Sequence, residues 1–171
     1  MKTPRRAIDL GPATRPAIPR EGPREPIEKI SVLLADDNAV VRLGLRMLLE
    51  AARDFKVVGQ ARDGREAVEM AQTLRPDVIL MDIAMPVLNG LQATRQILAA
   101  NPAAKVLVLS AHSDDEYIEY MNAVGAAGFL EKQTSSSVLT KAIHDVVKGH
   151  RVFSPAIAKR MTNGKRLVAR P

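Results

Sequence analysis

A short β-rich apolar run followed by an amphipathic stretch recurs five times between Ile30 and Gly149, and this alternation limits the fold more than any other feature. The runs are ISVLLA (30–35), FKVVGQA (55–61), DVILMD (77–82), KVLVLSA (105–111) and AGFLEK (127–132). VILM and VLVL do not alternate apolar with polar, as expected of central parallel strands buried on both faces. The segments between the runs predict helices over about 39–52, 64–74, 88–100, 114–124 and 135–148. In the last of these, Val138, Leu139, Ala142, Ile143, Val146 and Val147 form one stripe, TSSS supplies N-caps and Gly149 supplies the C′ position. Strict β/α alternation predicts an α/β fold with a doubly wound parallel sheet and helices on both faces. Ligands of such sheets bind at the carboxyl ends of the strands, near the point where strand order reverses.

The residues at those ends are polar. The first run stops at Asp36-Asp37, the third at Asp82, the fourth at Ser110 and the fifth at Lys132. Taken singly, each has an ordinary reading: a helix cap, a turn, a surface hydroxyl, a solvated lysine. Together they bring three carboxylates, a hydroxyl and an ammonium to one edge of one sheet. Clustered carboxylates without a cation raise their own pKa values or splay apart. A hard divalent cation such as Mg2+, which prefers oxygen ligands, resolves that conflict, and Lys132 is a point charge suited to a phosphoryl oxygen.

Charge is divided unevenly. Residues 1–29 carry seven Lys/Arg and four Asp/Glu, residues 151–171 carry six Lys/Arg and no acid, and residues 30–150 carry twelve basic and fifteen acidic residues. A mildly acidic domain at 30–150 therefore lies between basic ends, which argues against a nucleic-acid-binding core. Six prolines in residues 1–29 break any periodicity, so that segment is expected to be a disordered Pro/Arg-rich tail. The basic start MKTPRR is followed by no apolar h-region, no apolar run approaches ~18 residues, and cysteine is absent, which predicts a cytoplasmic protein without a membrane span. His112, His144 and His150 lack metal-ligand spacing, and no glycine-rich phosphate loop occurs.

LLADDNAVVRLGL, PDVILMDIAMPVLNG, VLVLSAH and GFLEK together resemble the receiver domain of bacterial two-component response regulators, over about residues 30–150. The resemblance implies a CheY-like, flavodoxin-like (βα)5 fold with five strands in the order 2-1-3-4-5. It implies that Asp82 is the phosphoacceptor, taking a phosphoryl group from a sensor histidine kinase as an aspartyl phosphate. Asp37, Asp82 and the backbone carbonyl of Ala84 would ligate Mg2+, with Asp36 acting through water. Lys132 would pair with a phosphoryl oxygen, and Ser110 and Phe129 would form the switch that turns the aromatic ring inward on phosphorylation. The chain would be no enzyme with a separate substrate; hydrolases with an Asp nucleophile carry a second acid where this chain has Ala84.

More narrowly, VVRLGLRMLLE, SAHSDDEYI and GHRVFSPAIAKRM resemble the NarL/FixJ (LuxR-type) subfamily, whose members usually continue into a DNA-binding helix-turn-helix. The 21 residues of 151–171 read instead as a basic linker-like tail, too short for that output domain. Two functions follow: a receiver module with an unidentified downstream protein as its target, or a transcription regulator without its DNA-binding part. Neither predicts sequence-specific DNA binding by this chain. Tyr117 and Tyr120 lie on the fourth helix, where at least one is expected to be exposed as part of a partner or homodimer surface.

Overall fold

The computed structural model describes residues 28–111, 115–154 and 157–159. Most of both expected tails, and His112, lie outside them. The elements alternate as expected: β1 (Ile30–Ala35), α1 (Ala39–Ala51), β2 (Phe55–Ala61), α2 (Gly64–Leu74), β3 (Val78–Asp82), α3 (Gly90–Ala100), β4 (Val106–Ser110), α4 (Asp115–Ala123), β5 (Gly128–Glu131) and α5 (Ser136–Val147). All paired strands are parallel. The sheet exceeds the expected five strands by one, because β6 (Val152–Phe153) adds to its edge and gives the order β2-β1-β3-β4-β5-β6.

Alternate residues of each central strand feed two different cores, as the period of two requires. Leu33, Ile79, Met81, Val106, Val108 and Phe129 pack on one face beneath α2, α3 and α4. Val32, Leu34, Val78, Leu80, Leu107 and Leu130 pack on the other with Leu49 of α1 and Leu139, Ile143 and Val146 of α5. Both faces are covered, which is why VILM and VLVL are apolar throughout.

Local signals explain the element ends. The side chain of Asn38 caps α1 by accepting from the N–H groups of Val40 and Val41, Asp63 caps α2 and Asn89 caps α3. Helix α5 stops as its sequence predicts. Gly149 sits at φ 90°, its N–H donates to the carbonyl of Val146, and that of His150 donates to Asp145, a Schellman closure. Ser135 stands at the N-cap of α5 but makes no side-chain cap bond.

The sixth strand has a cause that the tail's composition conceals. Phe153 pairs with Phe129, the N–H of Val152 donates to Ala127 and that of Ser154 to Phe129. Ile157 is buried in the same core as Phe129 and Met121. The start of segment 151–171 is thus part of the domain's packing. A Cβ at Gly128 would stand 2.3 Å from the carbonyl oxygen of Val152, so the strand lies where only glycine admits it.

One loop carries local strain. Val87, between β3 and α3, is exposed with φ 64°, a left-handed conformation disfavoured for a β-branched residue. Val87→Asn is expected to stabilise the fold by about 1 kcal/mol, since Asn tolerates that conformation and little packing is lost. Urea denaturation of the two proteins measures it; an unchanged or lower midpoint contradicts the assignment of strain.

Candidate functional site

Strand order reverses between β1 and β3, and there the aspartates meet. Asp36 follows β1 directly and Asp82 is the last residue of β3; they are 3% and 4% exposed, whereas Asp37 points to solvent. One carboxylate oxygen from each of Asp36, Asp37 and Asp82 lies within 4.8 Å of the others. Lys132, just beyond β5, reaches into the cluster. Its Nζ is 2.7 Å from Asp36 Oδ2 and 3.0 Å from Asp82 Oδ2. The backbone of Lys132 is fixed by its N–H donating to the carbonyl of Ser110 at 2.9 Å. Ser110 ends β4, buried beside this junction. The expected convergence on one edge is therefore present.

The electrostatics follow from the burial. Burial pushes the Asp82 carboxyl above its ordinary range; Lys132 opposes that rise and the neighbouring Asp36 adds to it. Burial works against the charge of Lys132, but hydrogen bonds to Asp36 and then Asp82 outweigh it, so its pKa is raised. One ammonium thus faces two buried carboxylates with a third close by, and an acceptor-only set of hard oxygens is left with two negative charges in excess. Such a donor set fits Mg2+ better than it fits a soft metal.

Ala84 lies exposed in the loop after β3, two residues from Asp82. Phe129 is fully buried, its ring already turned into the core. Tyr117 and Tyr120 are half-buried and pack against that same core with Val124, so neither is exposed as the sequence led us to expect. Ile118 and Met121 take the fully buried row of α4.

Two glycines support the site, and the sequence alone assigned neither of them a role there. Gly90 opens α3 and its N–H donates to the carbonyl of Ile83 at 2.9 Å. A Cβ there would stand 1.9 Å from the carbonyl oxygen of Asp82. Gly64 opens α2, bonds to the carbonyl of Leu88 at 2.9 Å, and would place a Cβ 2.1 Å from that oxygen. Both contacts are with backbone, which cannot swing aside. Gly90→Ala is expected to cost about 3 kcal/mol by forcing the end of β3 to move. Urea denaturation would show it, and wild-type stability in that variant would mean the loop can relax.

A cavity of about 340 Å³ lies away from this pocket, between α2 and α3, lined by Gln72, Arg75, Pro76, Ile97 and Asn101 among others. It contains no acidic residue and none of the pocket's residues. Among the described residues, no helix is long and apolar enough to cross a membrane.

Comparison with known proteins places this geometry. The response regulator receiver domain family matches residues 32–144. The transcriptional regulatory protein DegU of Brevibacillus brevis is 38% identical over 133 residues, which are 78% of this chain and 56% of that protein. The response regulator GacA of Pseudomonas aeruginosa is 38% identical over 132 residues, 77% of this chain and 62% of that protein. The match thus spans little more than half the length of these relatives. A LuxR-family two-component response regulator from Aurantimonas superposes with TM-score 0.76 at 30% identity, covering 81% of this chain and 99% of its own. The signal receiver domain of NarL from Mycobacterium tuberculosis superposes with TM-score 0.69 at 34% identity, covering 72% and 99%.

Proposed function

This chain belongs to the response regulator receiver domain family, and from that premise we propose that it accepts a phosphoryl group on Asp82 from a phosphohistidine of a sensor kinase. The observation that carries the reading is the meeting of Asp36, Asp37, Asp82 and Lys132 at the strand-order reversal. A carboxylate oxygen of Asp82 attacks phosphorus, the P–N bond to the histidine breaks, and its electron pair returns to the imidazole nitrogen. The product is an aspartyl phosphate. Asp37, Asp82 and the carbonyl of Ala84 are the residues that would hold Mg2+, with Asp36 behind them through water. Bound there, the ion neutralises charge on the transferring group. Lys132, now shared between Asp36 and Asp82, passes to a phosphoryl oxygen as the charge of Asp82 is spent on the new bond.

Ser110 lies one strand away from Asp82 and is the hydroxyl placed to follow the phosphoryl group. Phe129 pairs with Val108 on β4, two residues before Ser110, so a movement at Ser110 is felt at the ring. The ring is already buried, which supports a switch that acts by changing how α4 and β5 pack around it. The surface so altered, flanked by Tyr117 and Tyr120, would meet a downstream protein or a second copy of the chain.

The relatives' names favour a second form of the same reading. DegU is a transcriptional regulatory protein of which the matched region is 56%, and in this second reading the chain is the receiver part of a transcription regulator. A phosphate sink with no output is the third.

The test is treatment with acetyl phosphate and Mg2+, followed by borohydride reduction and peptide mapping. One phosphoryl group per chain on Asp82, lost when EDTA is present, is the expected result. Labelling on another residue, or none at all with intact fold, overturns the proposal.

A further inference from the structure

Arg42 lies near the start of α1 and turns back toward the acidic loop. Its Nη1 donates to the carbonyl oxygen of Asp36 at 2.6 Å and to that of Asp37 at 3.1 Å. On the other side of the loop, the Asp36 carboxylate accepts from the N–H of Asn38 at 2.9 Å and from Lys132 at 2.7 Å. Asn38 itself supplies the cap of α1, so neither aspartate is needed to cap the helix.

Those contacts matter because nothing in the loop alone would bring both carboxylates to one place. Successive residues of an extended chain point to opposite sides, and the two like charges repel. A helix N-terminus close by would also draw them toward its own N–H groups. We propose that Arg42 is a positioning residue for the divalent-cation subsite: by tying the carbonyls of Asp36 and Asp37 to α1, it holds the loop with both carboxylates within reach of Asp82. This rests on reading the acidic pocket as a metal site.

The competing role for Arg42 is that of a nearby charge, and the two roles predict opposite signs. Removing a cation beside an acidic site strengthens its attraction for Mg2+. Removing a tether scatters the ligands and weakens binding, as changes to outer partners of metal ligands do by on the order of 10-fold or more.

The experiment uses the full chain with Arg42→Met, which keeps much of the apolar stem, and Arg42→Lys, which keeps the charge and donors on a different reach. Mg2+ is titrated by calorimetry, and amide exchange over residues 36–38 is followed in metal-free buffer. Arg42→Met is expected to bind Mg2+ on the order of 10-fold more weakly, to exchange faster in the loop, and to keep wild-type protection in the sheet. Arg42→Lys is expected to fall between the two. In acetyl phosphate labelling, Arg42→Met should need more Mg2+ for half-maximal rate yet approach the wild-type rate at saturation. Unchanged or tighter Mg2+ binding overturns the proposal, and so does an unchanged loop. Should the wild-type chain bind no Mg2+, the reading of the pocket fails, and loop exchange alone decides Arg42: faster exchange in the Met variant supports the tether and unchanged exchange refutes it.

Discussion

Asp82→Asn is expected to abolish labelling by acetyl phosphate and, in metal-free buffer, to give a protein more stable than its parent. The first effect is chemical: an amide oxygen is no nucleophile toward phosphorus at neutral pH, and no other carboxylate shares the position of Asp82 at the end of β3. The second follows from the site's charge. Asp82 is 4% exposed, and burial with Asp36 beside it keeps its carboxyl above the ordinary value of 3.8, although Lys132 works in the opposite direction. A carboxyl with a raised folded pKa binds protons more readily in the native state than in the unfolded chain. Its contribution to stability therefore falls as pH rises from the unfolded value through the folded one, and is fully unfavourable at neutral pH. Asparagine removes that charge, keeps an acceptor for Lys132, and leaves the ammonium paired with Asp36 alone. The gain should be about 1 kcal/mol at pH 7 and should shrink toward pH 3. Thermal melts of both proteins with EDTA across that range provide the measurement. A variant that melts lower than the parent at pH 7 would show that Lys132 more than compensates Asp82, and residual labelling would move the phosphoacceptor.

The first part of that expectation could be argued from sequence because the polar groups at the strand ends were legible there, whereas the second needs the burial of Asp82 and its contact with Lys132. Five apolar runs gave each strand to within one residue at either end, and the polar residues at the ends of four of them marked the edge where a site would form. What was not legible depends on contacts between distant segments. Val152–Phe153 reads as tail because two residues carry no period, and only the free edge of β5 and a glycine at 128 make it a strand. Gly90 has no pattern of its own; its need appears when the end of β3 is found against it. Helix α1 is apolar on more than one side, with Val40, Leu43 and Met47 exposed while Leu49 is buried, so its periodicity could not say which row faces the sheet. Similarly, the sequence placed Tyr117 and Tyr120 on α4 without telling that both rest partly on the core. The role of Arg42 was equally hidden, since its acceptors are backbone carbonyls that no residue type advertises.

Lys132→Met is expected to shift the balance in the opposite sense. Methionine has a comparable volume and no charge, so packing is largely kept while Asp36 and Asp82 lose their common partner at 2.7 and 3.0 Å. Two buried carboxylates left without a cation cost about 3 kcal/mol at neutral pH, the low end for breaking a buried ion pair, because Lys132 is itself partly exposed. Protonation relieves the repulsion, so the deficit should diminish as pH falls toward the ordinary carboxylate range and widen as it rises through it. Mg2+ should recover part of the loss, since the ion supplies the charge that the lysine gave and no ammonium competes for the same oxygens. Labelling should nonetheless fall by on the order of 100-fold even with Mg2+ saturating, because the phosphoryl oxygen paired with Lys132 in the transition state is left without its donor. Urea denaturation at several pH values, with EDTA and with Mg2+, separates these effects. If the stability of the variant is independent of Mg2+ while its labelling is lost, the three aspartates do not hold the ion together, and the phosphoryl chemistry rests on Lys132 and Asp82 alone.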